Sequence, residues 1–295
     1  MKLSTNDIEA LAQVAQKATH IAADYIQSQV KETHHIKLKD GLKNLATQVV
    51  TAIDLESQRL ILEELKPSLT TYDLGLLTEE LPDDGSRLDK DYFWCIDPLD
   101  GTLPFTEQEP GYAVSIALVN QAGEPIIGAI ADPYQKAYWL GIKGSGVLKN
   151  GEPYEFEQKT KTLVCQLDRS FLDSAIYEPT VDALQSLCRS QGYEEMVIST
   201  GKGAVMNAMS LLTEGSGCYV KWPKATRGGG CIWDYAATRL IFEALGLPVS
   251  TASGRNLRLN QKEVYMNNHG VIYATSQSLQ QEIIRIGKQL HQGAK

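Results

Sequence analysis

The stretch WCIDPLDGT, residues 94–102, places two aspartates three positions apart behind an aromatic and apolar lead-in. Carboxylates this close repel each other unless a proton or a metal ion lies between them. Pro98 fixes φ and lacks an N–H, so we expect the backbone to leave the strand there, while Gly101 permits a tight turn. Asp97 and Asp100 are therefore predicted to point into one space.

The Leu99 carbonyl can face the same space. Such a group of hard oxygen atoms suits Mg²⁺, which accepts one or two carboxylates together with water and substrate phosphate. Thr102 follows where the turn opens into the next segment, a position at which backbone N–H groups can meet a phosphate. The alternative is an Asx-type turn in which the two aspartates only cap the backbone.

Four further acids follow a predicted strand or lie near the start of a predicted helix. Glu79 and Glu80 follow the apolar LGLL, which indicates that a strand delivers them. Asp234 stands at the start of one predicted helix and Asp54 near the start of another, where the helix dipole tolerates an acid. Taken singly, Asp234 could equally be a plain N-cap and Asp54 a surface acid. Together with the WCIDPLDGT aspartates, they predict an all-oxygen site for two or more Mg²⁺ ions.

The elements that must position these acids begin with two helices. Apolar residues from Ile8 to Ile26 recur at helical spacing behind cap candidates at 4–7. The polar, lysine-bearing stretch 31–44 predicts a loop or hairpin. A second helix is predicted from about Thr51 to Leu65, where Pro67 would stop it.

An acidic loop is predicted at 83–91, and strands dominate after it. YFWCI, YAVSIALV, PIIGAIAD and KAYWLGI have strand patterns, and KNGEPY predicts a tight hairpin turn. The second half mixes the strands TLVCQLD and EEMVIST with helices at 181–189, at 204–212 and in WDYAATRLIFEALGLP, with Asp234 as the N-cap of the last. Two helices, a sheet and a second mixed layer predict an α+β layered sandwich. We expect the halves 1–150 and 151–295 to pack closely enough to count as one domain.

Composition narrows the functional classes. The chain has 295 residues and a formal net charge of −8, which gives no support for binding nucleic acid or an anionic membrane. Its five cysteines are dispersed without a C-x-x-C pair, so reduced thiols are expected. The N-terminus lacks the apolar core of a signal peptide, and no apolar run reaches 18 residues. These features predict a cytoplasmic protein.

Several motifs together resemble the inositol monophosphatase family. That family belongs to the lithium-sensitive, Mg²⁺-dependent phosphatases, with the 3′(2′),5′-bisphosphate nucleotidases and fructose-1,6-bisphosphatases. The matching segments occur in the family's order across most of the chain, and the W-x-x-D-P-x-D-G-T signature is specific. They are VTAID (50–54), TEE (78–80), WCIDPLDGT with Phe105 behind it, YAVSIALV (112–119) and WDYAA (233–237). The resemblance implies a layered αβαβα sandwich, and a homodimer is common among such relatives.

The resemblance also implies a ligand set. Glu79, Asp97 and the Leu99 carbonyl would hold one Mg²⁺, and Asp97, Asp100 and Asp234 a second. A third, weaker ion would contact Glu79 through water.

Catalytic and substrate roles are likewise carried over by resemblance. Asp54 and Thr102 resemble the pair that polarises the attacking water, with Glu79 completing the catalytic set. The backbone amides of Gly101 and Thr102 would contact the phosphate. Other predicted substrate contacts are Gly201, Lys202, Gly203, Lys224 and Asp234.

The approach to Asp234 departs from the family pattern. Lys221 and Lys224 stand where a tyrosine and an arginine are common, and Arg227 is close by. These cations would suit a second substrate phosphate, or they would be solvent-facing loop residues. The triple glycine 228–230 matches no motif.

The residues and the resemblance agree on the reaction. A phosphate monoester is a dianion, so an acidic site must be neutralised by metal before binding it, and two metals can activate water for in-line displacement. Phosphatases that form an aspartyl-phosphate use D-x-D spacing, whereas this chain has D-x-x-D. We therefore predict an Mg²⁺-dependent phosphomonoesterase that acts by direct water attack on a small polyol, inositol or sugar phosphate. The alternatives are a bisphosphate nucleotidase converting adenosine 3′,5′-bisphosphate to AMP, and a non-catalytic scaffold.

Overall fold

A computed structural model describes residues 2–37, 43–158, 160–228 and 230–292. Helix α1 spans Thr5–Lys37, and its apolar stripe is buried, with Ala15, Ala22 and Ile26 fully covered. The loop or hairpin predicted over 31–44 is wrong at both ends, because α1 continues to Lys37 and α2 begins at Lys43. Residues 31–37 contain no glycine or proline, so nothing local ends the helix. Residues 38–42 lie outside the described part of the chain.

Helix α2 spans Lys43–Thr71, so it is longer than predicted in both directions. Pro67 lies inside it. The missing N–H removes one bond to the preceding turn, but the helix continues to Thr71, whose hydroxyl donates to the Pro67 carbonyl at 2.9 Å. Ile61 and Leu65 are fully buried and anchor this end. Asp54 is consequently a mid-helix residue, and the predicted position near a helix start is wrong.

The first sheet has seven strands in chain order, with β1 parallel to β2 and every other pair antiparallel. The strands are β1 Gly75–Thr78, β2 Tyr92–Asp100, β3 Ala113–Asn120, β4 Pro125–Asp132, β5 Ala137–Ile142, β6 Gly146–Lys149 and β7 Glu152–Pro153. The predicted hairpin turn lies between β6 and β7, where Asn150 and Gly151 have φ of 52° and 85°. Two short helices, α3 Ser86–Asp89 and α4 Thr102–Glu107, flank β2.

The second sheet has five strands in the order β11-β12-β10-β8-β9. Its elements, in chain order with their helices, are β8 Thr162–Leu167, α5 Tyr177–Ser190, β9 Glu195–Thr200, α6 Ala204–Glu214, β10 Gly217–Lys221, α7 Ile232–Ala244, β11 Val249–Ser250, β12 Val271–Ala274 and α8 Gln277–Gln292. The strands and helices predicted for this half are confirmed, with boundaries that shift by a few residues.

The layers follow the contacts between elements. Helices α1 and α2 cover one face of the first sheet, α6 and α7 lie between the two sheets, and α5 and α8 cover the far side of the second. The αβαβα sandwich is therefore confirmed. Gly128 permits α7 to lie directly on β4, because a Cβ there would stand 2.7 Å from the Ala237 carbonyl oxygen.

The buried core runs across the two halves of the chain, since α7 packs against β3, β4 and β5 of the first sheet. All five cysteines are buried and unpaired, as predicted. None of the described helices is long and apolar enough to cross a membrane.

Candidate active site

Three aspartates from two elements converge beside the end of β2. One carboxylate oxygen from each of Asp97, Asp100 and Asp234 lies within 4.8 Å of the others. Their exposed fractions are 1%, 8% and 9%, so water reaches them poorly. The sequence prediction that these residues share one site is consistent with this geometry.

A β-bulge aims the first two aspartates. Asp97 pairs with Ser115 and Asp100 with Ala113, so β2 carries one residue more than β3 between those pairs. The prediction that the backbone leaves the strand at Pro98 is wrong. Strand β2 continues to Asp100, because a bulge accommodates a proline within a strand. The Leu99 N–H donates to Asp97 Oδ1 at 3.1 Å, which holds that carboxylate against the bulge.

Asp234 occupies the third position of α7, and its prediction as the N-cap is wrong. Cys231 is the N-cap, with an extended backbone that forms an isolated β-bridge to Tyr265. Its N–H donates to Asp234 Oδ2 at 2.7 Å, which closes a capping box. A carboxylate bonded in this way keeps acceptor positions for a cation.

Asp100 joins the two halves of the molecule. Its Oδ1 accepts the N–H of Ala204 at 3.1 Å, and its Oδ2 accepts that of Val205 at 2.8 Å, both from the first turn of α6. Gly203 makes this approach possible, because a Cβ there would stand 2.3 Å from Asp100 Oδ2. The Gly203 N–H in turn donates to the Gly111 carbonyl at 2.7 Å.

Glu79 follows β1 directly, and its N–H donates to the Ile96 carbonyl at 3.2 Å. The surrounding protein desolvates its carboxylate and Asp234 repels it, which raises the pKa of Glu79 to about 7 although the residue retains exposure. A hydrogen bond to Asp97 acts in the opposite direction. Burial, followed by repulsion from Glu80 and Glu79, raises the pKa of Asp54 to about 8.

The three aspartates carry the same signature. Burial is the largest cause that raises the pKa of Asp97, of Asp100 and of Asp234, and neighbouring carboxylates add to it in the first two. Lys221 opposes the shift at Asp234. Because the donors are hard oxygens and their charge is poorly compensated by the protein, the residues present fit Mg²⁺.

Sequence reasoning missed two residues of α2 that support the site. The Ser57 hydroxyl donates to the Pro98 carbonyl at 2.9 Å. Gln58 Oε1 accepts the Thr78 hydroxyl and, at 3.3 Å, the N–H of Glu80. Both residues lie three and four positions after Asp54, on the same helix face, and that spacing was the signal that could have found them.

The backbone predicted to contact the phosphate lies at the start of α4. Gly101 has φ of 81°, and a Cβ there would stand 2.6 Å from the Gly111 carbonyl oxygen, so only glycine fits. Thr102 is exposed and begins α4, whose first N–H groups have no partners within the helix. Helices α2 and α4 are in contact, which brings the helix of Asp54 beside that of Thr102.

The predicted substrate cations are mostly engaged elsewhere. Lys202 Nζ lies 3.1 Å from Glu214 and 3.2 Å from the Ser199 hydroxyl. Gly201 faces Arg169, which forms a two-bond ion pair with Glu107. Contact of Gly201 or Lys202 with substrate stays a prediction.

Lys221 forms a largely buried ion pair with Asp168 at 2.5 Å. Asp168 Oδ1 also accepts the Tyr219 hydroxyl at 2.9 Å, which holds the pair in place. Arg227 is bonded to Glu263 at 3.2 Å. Lys224 is exposed and lines, with the ion pair, a small cavity of about 120 Å³.

One glycine of the triple run now has a physical reason. A Cβ on Gly230 would stand 2.2 Å from the Tyr235 hydroxyl oxygen and 3.1 Å from Lys221 Nζ. The chain must therefore lack a side chain where it passes over these groups. Gly229 lies outside the described residues.

The chain matches a family model described as the inositol monophosphatase family over residues 7–292. Among similar proteins, a histidinol-phosphatase of Chlorobaculum parvum is 28% identical over 263 residues, which cover 86% of this chain and 95% of that protein. The 3′(2′),5′-bisphosphate nucleotidase CysQ of Salmonella typhimurium is 29% identical over 225 residues, which cover 74% and 82%.

Solved structures agree on the fold. An inositol monophosphatase from Zymomonas mobilis superposes with a TM-score of 0.71 at 23% identity, covering 97% of this chain and all of that one. Inositol monophosphatase II from Staphylococcus aureus gives a TM-score of 0.70 at 20% identity, covering 93% and 94%.

Proposed function

The chain belongs to the inositol monophosphatase family, and we propose that it hydrolyses the phosphate monoester of a small polyol, inositol or sugar with the help of Mg²⁺. The observation that carries the proposal is the buried cluster of Asp97, Asp100 and Asp234, whose negative charge is offset by a protein cation only at Asp234, through Lys221. A cluster of this kind repels a phosphate dianion by itself, but it is well suited to hold cations, which would then bind the dianion.

Mg²⁺ would be held by the clustered carboxylates of Asp97, Asp100 and Asp234, together with Glu79 and the Leu99 carbonyl. Bound Mg²⁺ neutralises negative charge and acidifies its water ligand. The N–H groups at the start of α4 would hold the phosphate oxygens, in the manner of other helix starts.

Water is the proposed nucleophile. Asp54 and the Thr102 hydroxyl would orient it, the Asp54 carboxylate would accept its proton, and a proton returned through solvent would convert the leaving alkoxide to the free alcohol. Burial and repulsion from Glu80 and Glu79 raise the pKa of Asp54 to about 8 in the metal-free site, so its carboxylate, once ionised, is a stronger base than an ordinary aspartate. A covalent role for Asp100 is disfavoured because both of its oxygens accept N–H groups of α6. Balanced overall, water and the monoester give an alcohol and inorganic phosphate.

The engaged cations favour a substrate with a single phosphate. Lys221, Lys202 and Arg227 each have a carboxylate partner, so their charges are already compensated. The second candidate, a 3′(2′),5′-bisphosphate nucleotidase, is favoured by the exposed Lys224 beside the small cavity and by the similarity to the CysQ nucleotidase. The name of the other relative adds histidinol phosphate to the substrates to be tested.

The test is phosphate release with and without Mg²⁺ from inositol 1-phosphate, histidinol phosphate, fructose 1,6-bisphosphate and adenosine 3′,5′-bisphosphate. We expect a higher kcat/KM for a monophosphate than for either bisphosphate. Asp97→Asn should abolish Mg²⁺-dependent release from every substrate, while the exposed control Asp89→Asn should retain it. Undiminished turnover by Asp97→Asn would refute the metal assignment, and no release from any substrate would favour the scaffold.

Cytoplasmic location and homodimer formation are proposed on the sequence and the resemblance alone. Gel filtration with light scattering would measure the mass in solution. Cell fractionation would test the compartment.

A further inference from the structure

A second, cationic cavity lies in the loop that joins β11 to β12. The two strands pair antiparallel, with Val249 opposite Tyr273, and the residues between them have almost no regular secondary structure. Residues of this loop, 251–270, line a cavity of about 700 Å³ that is open to solvent. Irregular loops of such length within a compact fold are uncommon and are usually functional or disordered.

Hydrogen bonds make the loop an ordered structure. The Thr251 N–H donates to the Arg255 carbonyl at 2.8 Å, and the Arg255 N–H donates to the Thr251 hydroxyl at 3.0 Å. The far side is closed by the Ala252 N–H, which donates to the His269 carbonyl at 3.0 Å. The loop is also held on the first sheet, because the Asn260 amide donates to the Gln121 carbonyl at 3.0 Å. The loop that lines the cavity is therefore held in place by its own hydrogen bonds and by the first sheet.

The cavity wall is positively charged. Its charged lining residues are Arg255 and Arg258, and among the described residues no aspartate or glutamate lines it. Arg258 is exposed, whereas its neighbours Leu257 and Leu259 are buried, at 1% and 0% exposure. Among the described residues, neither guanidinium has a carboxylate within ion-pair distance, in contrast to Arg227, Arg239 and Arg285.

We propose that this cavity binds a small molecule with two or more phosphate groups and the size of a nucleotide, at a site separate from the metal centre. Two guanidinium groups match phosphate oxygens in paired hydrogen bonds. Asn256 and Gln261 line the same cavity and offer hydrogen bonds to a ribose or a base. The volume falls in the range of small-molecule sites.

The site is distinct from the one proposed for catalysis, since none of its lining residues belongs to the carboxylate cluster. The two are nevertheless adjacent in the chain's hydrogen-bond network. The Met266 N–H at the cavity donates to the Gly230 carbonyl at 2.9 Å, one residue before the N-cap of α7.

The test is isothermal titration calorimetry of the full chain in EDTA, because without metal the acidic centre repels phosphate. The probes are ADP, inorganic pyrophosphate and citrate, the last as a polyanion without phosphate. We expect ADP to bind more tightly than pyrophosphate, and pyrophosphate more tightly than citrate. Arg255→Gln and Arg258→Gln should each weaken ADP binding about tenfold or more. The exposed Arg285→Gln on α8, which is paired with Glu282, is the matched control and should bind as the unaltered chain does.

Circular dichroism would verify that the Arg255 and Arg258 variants fold; both residues are exposed, and neither belongs to the carboxylate cluster. No heat from ADP at concentrations up to about 1 mM would overturn the proposal. Equal loss of binding in the Arg285 control, or no loss in either cavity variant, would also overturn it. Because binding is measured without metal or turnover, the outcome is independent of the proposed catalysis.

Discussion

Replacing Gly203 with alanine should uncouple Asp100 from α6 without altering any carboxylate. Gly203 has φ of −65° and ψ of 169°, which alanine adopts freely, so backbone strain does not contribute. The new Cβ would stand 2.3 Å from Asp100 Oδ2 and 2.7 Å from the Gly101 Cα. One of these groups must move by close to an ångström to restore an ordinary contact.

The size of the effect follows from what Asp100 holds. Its two hydrogen bonds to α6, at 3.1 and 2.8 Å, have a charged acceptor, and such bonds contribute about 1.5–3 kcal/mol each. A displacement of about 1 Å in a catalytic group can lower the rate by about a hundredfold. We therefore expect Gly203→Ala to lower kcat/KM about a hundredfold and to reduce the rise in melting temperature on adding Mg²⁺.

The assay is steady-state phosphate release together with differential scanning fluorimetry across an Mg²⁺ titration. Gly141→Ala in β5 is the matched control, because its Cβ would meet no atom closer than the Ile241 Cγ1 at 3.2 Å, with the Ile241 Cα and Leu240 Cγ at 3.7 Å. Circular dichroism would verify that both variants are folded. Activity and Mg²⁺ response of Gly203→Ala within threefold of the unaltered chain would refute the reasoning.

Three further outcomes are expected. In EDTA, the melting temperature should fall as pH rises from 5 to 8.5, because a carboxyl whose folded pKa is raised, such as Asp54 at about 8, stabilises the fold while protonated and loses that contribution as it ionises. Mg²⁺ should flatten this profile, and a melting temperature that rises with pH in EDTA would contradict the prediction. Ser57→Ala should lower the free energy of unfolding by about 1–2 kcal/mol in urea titrations and raise the Mg²⁺ concentration for half-maximal activity, because it frees the Pro98 carbonyl behind the bulge; unchanged values of both would contradict it. Lys221→Met should destabilise the fold by about 3 kcal/mol, since it leaves Asp168 without its cation, and the double variant with Asp168→Asn should recover part of that loss; equal stability of the single and double variants would exclude this coupling.

The layered architecture could be predicted because it depends on local patterns, whereas the grouping of Asp234 with Asp97 and Asp100 rested on the resemblance to the family. Apolar periodicity identified most elements, and the order of the motifs indicated the family. Element boundaries were less accurate where the local signal was misleading. Pro67 suggested a helix end, yet the buried Ile61 and Leu65 before it keep that turn packed.

Long-range contacts could not be predicted in this way. The bonds from Asp100 to α6 join residues 104 and 105 positions apart, and no pattern near either end indicates the other. The same holds for Lys221, whose charge suggested a phosphate ligand until its pairing with Asp168 was visible. Ser57 and Gln58 were overlooked for another reason: polar residues on a helix are usually solvent-exposed, and these two are buried at 0% and 3% exposure.

Asp100 couples the proposed metal site to helix α6. The carboxylate that would bind cations is also the group that satisfies the first N–H groups of α6. Asp234 has the same double role at α7, through the N–H of Cys231. Two helices of the middle layer are thus oriented by the same carboxylates that form the site. A cation bound by Asp100 and Asp234 would hold the starts of α6 and α7 in place relative to β2. The geometry of the site and the packing between the two sheets therefore depend on the same side chains.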